Sequence, residues 1–440
     1  MYALLLRMST GTQWASLALG DRLARWSRLS LEFALNQGLA QAAGMISGLI
    51  YVRLMPIDQY ALYAMGLSAL AFLTVGSDLG LTSALSYFWN QRVKGGGALE
   101  LRIAAVRRLR LVFLLLSSVV CGAFLLKTAA TQNLPMATVL ACGGLVVATA
   151  WLHTLTTTDL LLIRLAGKLR ESYYCEGAGN ITRLAAAVAM IATGMDTAIF
   201  GLFGGLFGAL AIWTVLQRVG RPPANSALPI GRETWREVIT YVVPMFPTMI
   251  VFMVQDPLVL WLALTFGGKA PLSETFAVGR IAAIYAVMGS FIITVVAPRL
   301  ASIGNDTRLT RLTGLFLLAL VLLCAAVMMV AVLAPSTLLL LIGPKYAHLD
   351  TEVALSLASA SFGLLTTFLA IINRLRGWIR LEPVVAACQI VAIFILATHW
   401  SFDDSASVLG LMVTLAGLSF LGAAATNVVG MLAPRIVRAR

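Results

Sequence analysis

Twelve long apolar runs, separated by short polar breaks, set what this 440-residue chain can become. They fall near 33–52, 60–82, 108–127, 136–160, 174–194, 197–216, 238–264, 273–297, 312–334, 352–373, 383–400 and 406–431. Roughly 20 helical residues cross the hydrocarbon core of a bilayer. The chain is 60% hydrophobic and 12% charged, more apolar surface than a soluble fold of this length can hide. The runs are apolar throughout rather than alternating, which excludes a transmembrane β-barrel. The expected fold is all-α, a polytopic membrane protein of about twelve transmembrane helices.

The net charge of +13 gives the chain an orientation rather than a nucleic-acid partner. Twenty-six of the 32 Lys and Arg lie in the first thirty residues, in every second connection, or at the C-terminus. The intervening loops carry only Arg53, Lys127, Lys269 and Lys345, and Arg183 and Arg280 fall inside apolar runs. By the positive-inside rule both termini are cytoplasmic. Cys121, Cys142, Cys175, Cys324 and Cys388 sit in or beside apolar runs without metal spacing and read as small reduced hydrophobes.

The longest hydrophilic connection, 217–237, divides six runs from six. The expected organisation is a cytoplasmic arm (1–30), a first six-helix half (31–216), a cytoplasmic linker (217–237), a second half (238–434) and a short tail (435–440). Two echoes link the halves. Arg164-Leu165-Ala166-Gly167-Lys168-Leu169-Arg170 resembles Arg374-Leu375-Arg376-Gly377-Trp378-Ile379-Arg380 at an offset of 210 residues, and Leu62 to Gly66 resembles Thr275 to Gly279 at 213. Six spans per half make such repeats parallel, with a binding site expected between them.

Ionisable groups inside spans are the candidate functional residues, since each costs at least ~2.5 kcal/mol in hydrocarbon unless it meets a cavity or a partner. Asp256 and Arg280 lie within a stretch, Tyr241 to Leu300, that also carries Pro244, Pro247 and Pro257. At about 1.5 Å per residue both fall in the outer half of the bilayer, where they could face each other. Glu176, Asn180 and Arg183 share one helix face, as do Gln37, Gln41, Gly44 and Gly48. Each face reads either as cavity lining or as close helix packing, and Gly201, Gly204, Gly205 and Gly208 read as packing glycines. Asp78, within Gly76-Ser77-Asp78-Leu79-Gly80, marks a helix irregularity and a coupling or gating candidate. His153 reads as an interior hydrogen-bonded residue.

Three scattered histidines and no phosphate-binding glycine loop leave no catalytic or nucleotide-hydrolysing arrangement. No cofactor is expected; energy for any transport would come from a gradient, H+ or Na+ among the candidates.

Several motifs recur in one order. They are Gln59-Tyr60-Ala61-Leu62-Tyr63-Ala64, then Ser77-Asp78-Leu79-Gly80-Leu81 with Ala84-Leu85, then Tyr241 to Pro244, Asp256, Phe276-Ala277, Ala297-Pro298-Arg299-Leu300, and Leu338 to Tyr346. In these the chain resembles the polysaccharide-transporter branch of the multidrug/oligosaccharidyl-lipid/polysaccharide (MOP) exporter superfamily. It departs from that pattern at Pro257 and at Glu274-Thr275-Phe276, which bears on substrate detail. The resemblance implies a flippase of the bacterial inner membrane. Such a protein moves an undecaprenyl-pyrophosphate-linked oligosaccharide by alternating access during O-antigen, capsule or exopolysaccharide synthesis, among membrane lipids and beside a polymerase and chain-length regulator. Arg280 and then Arg183 are the expected anion contacts, and Asp256 the coupling or counter-charge residue. The competing readings are a multidrug or organic-cation exporter of the same fold and a membrane glycan polymerase or ligase.

Overall fold

A computed structural model describes residues 37–93, 99–132, 135–219, 230–296, 300 and 306–433, except 377 and 379. The arm, the tail, most of the linker and Ala297-Pro298-Arg299 lie outside the described residues. The first helices are α1 (Leu39–Leu54), α2 (Ile57–Asp78), α3 (Leu81–Val93), α4 (Leu99–Thr131), α5 (Met136–Leu165), α6 (Leu169–Thr193) and α7 (Ala198–Val219). Then follow α8 (Arg232–Val242), α9 (Phe246–Leu262), α10 (Lys269–Ile281), α11 (Ile284–Phe291), α12 (Asp306–Leu333), α13 (Pro335–Ile342), α14 (Asp350–Leu375), α15 (Glu382–His399) and α16 (Ser405–Leu432). Nine helical segments among the described residues are long and apolar enough to cross a membrane, so this is a multi-pass, all-α membrane protein. The first apolar run is described only from residue 37, the fifth carries Glu176 and Arg183, and the eighth is broken into α10 and α11.

The breaks follow from backbone chemistry. The second run was expected as one span over 60–82, but α2 ends at Asp78. Leu79 turns left-handed (φ +37°) and Gly80 follows at φ +91°. Asp78 then restarts the chain as α3: its Oδ1 accepts from the Thr82 N–H at 3.2 Å and from the Thr82 hydroxyl. The seventh run is likewise divided. Pro244 sits in one tight turn at Val243–Met245, Pro247 opens α9 where its missing N–H is harmless, and Pro257 lies inside α9. One turn near Ala282 and Ala283 separates α10 from α11.

Helix α2 is the hub. It packs on α4, α5 and α7 and also on α9 and α10, joining the N-terminal set of helices to the C-terminal set. Small residues permit this. Ala61, Ala64, Gly66, Ala69 and Gly76 are buried on α2, and a Cβ at Gly66 would stand 3.0 Å from Leu202. Elsewhere α6 packs on α1 and α7, and α14 packs on α16. The sequence echo has a local counterpart. Arg164 at the end of α5 binds Glu176 of α6, and Arg374 at the end of α14 binds Glu382 of α15 at 3.1 Å.

Away from the basic connections, the two sets are clasped together. Arg53, at the end of α1, donates from Nε to the Leu341 carbonyl at 2.9 Å and from Nη2 to the Leu340 carbonyl. Lys345, just after α13, donates back to the Met55 carbonyl at 2.6 Å. Each cation therefore meets the carbonyl end of a helix from the opposite set, where the macrodipole is negative. Lys269 pairs with Asp58 at 3.3 Å, Lys127 lies 5.6 Å from the Trp261 ring centroid, and Gln132 donates to the Leu264 carbonyl at 3.1 Å. All four cations of the sparsely charged face thus bridge the sets.

If this clasp keeps its end shut, replacing Arg53→Ala and Lys345→Ala together should open it. A cysteine at Ser356, buried on α14, should then react several-fold faster with a membrane-impermeant maleimide applied from that face. Unchanged labelling of correctly folded protein would show that other contacts hold the closure.

Candidate functional site

A cavity of 1090 Å³ separates the two sets of helices. Asp78, Thr82, Ser83, Ser86, Tyr87, Arg110 and Thr157 come from one side, and Tyr241, Gln255, Asp256, Ser359, Thr366, Thr367 and Arg374 from the other. Beyond it lies a second chamber of 440 Å³, lined by Asp256, Thr275, Arg280, Ser356, Ser359 and Met412 among others. Asp256, Ser359, Ala360 and Met412 line both spaces. Asp256 therefore marks the junction, and Arg280 lies in the inner chamber.

Asp256 and Arg280 share a chamber but not a bond, so the expected facing pair is not formed. Arg280 turns instead toward α1 and α2: its Nε donates to the Tyr60 hydroxyl at 3.4 Å, and its guanidinium carbon is 5.9 Å from the Tyr63 ring centroid. Gly48 makes the space, since a Cβ there would stand 3.2 Å from Arg280 Cδ and Nη1. Phenolic oxygen and π-face offset part of the desolvation cost, about 0.5–2 kcal/mol for the cation–π part. Arg280 Nη2 is still buried without a hydrogen-bond partner. Asp256 has no ion pair or hydrogen bond among the described residues, and its side chain opens on the cavity.

Arg183 is the second cation of this region. Its Nη2 lies 3.3 Å from His153 Nε2, and its Nε is buried without a partner. Arginine only donates, so in this contact His153 is the acceptor at Nε2. Tyr51 and Tyr63 (ring centroids 5.2 Å apart) stand between the two guanidinium-bearing helices, with Tyr60 6.0 Å from Tyr63. The packing glycines of α7 are recesses for these groups. A Cβ at Gly204 would meet Tyr51 Oη at 2.6 Å, one at Gly201 would meet the Tyr63 ring at 3.0 Å, and one at Gly208 would meet Arg183 Cγ at 2.7 Å.

The two polar faces read from the sequence meet each other. Gln37 of the first donates to Glu176 of the second, and a Cβ at Gly44 would touch Asn180 at 3.1 Å. Glu176 also binds Arg164, so its charge is spent on packing. Gln41 is half-buried beside them. None of Gln37, Gln41, Glu176, Asn180 and Arg183 lines these two chambers; α1 and α6 pack against each other instead. Asp78 does line the large cavity, as the cap described above, with Arg110 Nη2 3.7 Å away.

Arg110 was counted among the connection charges, but it is 4% exposed within the wall and donates to Thr158 at 2.9 Å. Tyr87 and Tyr241, also unselected from the sequence, stack across the cavity mouth with centroids 4.6 Å apart. Nothing in the sequence paired two tyrosines 154 positions apart.

Comparison with solved structures places this fold. A transporter of the MOP superfamily from Pyrococcus furiosus, described as having a binding pocket of reverse polarity, superposes with a TM-score of 0.64 at 12% identity, over 94% of this chain and 96% of that one. A MATE protein in complex with MaD3S gives 0.63 at 12% identity, over 93% and 96%. The lipid II flippase MurJ, in an inward closed conformation, gives 0.54 at 11% identity, over 91% of each chain. No family model and no curated protein matches the sequence. The chain therefore has the MOP transporter fold. At these identities the fold is what is shared.

Gly208→Ala should disturb the arginine–tyrosine cluster more than an ordinary helix substitution. Its Cβ would meet both Arg183 and, at 2.9 Å, the Gly179 carbonyl. A loss of about 1–3 kcal/mol is expected, read as a lowered melting temperature in detergent. Gly205→Ala, which meets nothing within 4 Å, should be neutral or slightly stabilising.

Proposed function

We propose that this protein is a flippase that translocates an undecaprenyl-pyrophosphate-linked oligosaccharide across the bacterial inner membrane by alternating access. The observation that carries the reading is Arg280: a guanidinium in a chamber between two sets of helices, with no carboxylate bound to it among the described residues and its Nη2 nitrogen unsatisfied. A buried guanidinium without a counter-charge is a site for a phosphate oxygen, which it binds with charge-assisted geometry. Hydroxyls and tyrosines dominate the polar wall of the adjoining 1090 Å³ cavity, groups suited to sugar hydroxyls and rings. Closure by the Arg53–Lys345 clasp at one end, with the cavity between the sets extending toward the other, supports one step of an alternating cycle.

Within this proposal Asp256 couples the movement to a gradient of H+ or Na+. It stands where the two spaces join and carries no partner of its own. The same residue favours a second reading, export of organic cations, because an unpaired carboxylate in a cavity attracts positive charge. The readings differ at Arg280, which an anionic substrate needs and a cation exporter does not.

Arg280→Ala should abolish movement of labelled lipid-linked repeat units to the outer leaflet while folded protein in the membrane stays near wild-type levels. Accumulation of the units on the cytoplasmic leaflet of a deletion strain, relieved by wild type and not by the variant, supports flipping. Normal translocation in the deletion strain would sink it.

Asp256→Asn should leave substrate binding within about twofold but remove the dependence of transport rate on the imposed ion gradient. Gradient-independent transport by wild type would remove Asp256 from this role. Efflux of cationic dyes abolished by Asp256→Asn and indifferent to Arg280→Ala would select the exporter reading.

A further inference from the structure

We propose that an apolar pocket between α2, α4 and α9 holds the part of the hydrocarbon chain next to the head of the same lipid whose diphosphate Arg280 meets, so that one amphiphile occupies both compartments. The inference rests on the anionic-lipid reading above. The pocket encloses 260 Å³, and Ala69, Phe72, Cys121, Phe124, Val254 and Trp261 form much of its wall. No charged residue lines it. Such a space offers water too few partners and suits a hydrocarbon occupant.

Three observations choose a lipid chain joined to an anionic head. First, the pocket and the Arg280 chamber share Ser68, Pro257 and Leu260, so a chain in one can continue from a head in the other. Second, the rim faces hydrocarbon rather than water: Val120 is 59% exposed, and Leu116 one turn away is 61% exposed. Third, Pro257 interrupts the hydrogen-bond ladder of α9 at the shared wall, the place where that wall yields most easily. The opposite seam, between α1 and α10, is filled by Arg280 against Gly48. An ordinary phospholipid acyl chain fits the pocket's chemistry but leaves the Arg280 chamber without its anion.

The test uses the full-length protein in phosphatidylethanolamine–phosphatidylglycerol vesicles, with undecaprenyl diphosphate and inorganic diphosphate as probes. Val254→Phe fills the pocket and should weaken undecaprenyl diphosphate at least tenfold while leaving inorganic diphosphate unchanged. Leu258→Ala enlarges the pocket and should retain both. A photoactivatable p-benzoylphenylalanine introduced at Phe124 should attach to undecaprenyl diphosphate. Equal binding of both probes by Val254→Phe and wild type, or capture of phospholipid only, overturns the inference. If wild type binds neither probe, or Arg280→Gln changes neither, the anionic-substrate reading itself fails, a pattern distinct from a chain-selective loss.

Discussion

A guanidinium inside a bilayer-spanning bundle must be met by something, and much of the N-terminal set of helices is arranged around that demand. Arg183 and Arg280 carry charge into the interior with no carboxylate bonded to them among the described residues. The solution is aromatic and small. Tyr60 supplies a hydroxyl and Tyr63 a π-face to Arg280, Tyr51 packs against Tyr63, and Gly48, Gly201, Gly204 and Gly208 remove the Cβ atoms that would occupy the same volume. Such partners compensate a cation less than a carboxylate would, which leaves its field directed at whatever enters the chamber.

The acidic residues are distributed by the opposite logic. Glu176, Glu237 and Glu382 are consumed in bonds to Arg164, Arg102 and Arg374, where they pin helix ends together. Asp159 is held by Arg107. Asp256 alone among the carboxylates of the two chambers is left without a bond, because the cation expected to face it is turned toward α1 and α2. Both sets contribute both kinds of group: Asp78, Arg110 and Tyr87 come from the N-terminal set, Asp256, Arg280, Arg374 and Tyr241 from the C-terminal set, and hydroxyls line both walls of the space between them.

At one end the sets are joined mainly through backbone carbonyls, with the Lys269–Asp58 pair beside them. Arg53 and Lys345 bind carbonyls at helix ends that any sequence would present, so the clasp needs only two correctly placed cations. Contacts of this kind form and break without stranding a buried carboxylate.

Much of this was legible in the sequence. Apolar run length and Arg placement determined an all-α multi-pass fold, because hydrocarbon admits only backbones that satisfy their own hydrogen bonds. The glycines around Asp78 marked a break that the structure places at Leu79 and Gly80. Helical periodicity put Gln37 with Gly44 and Glu176 with Arg183, but could not say what each face opposes. Only the tertiary structure decided that those faces bury each other, that Arg110 lies in a cavity wall, and that Arg280 selects Tyr60 over Asp256. Sequence spacing reports which side of one helix a residue occupies; which helix stands opposite is settled by how small residues let the helices approach.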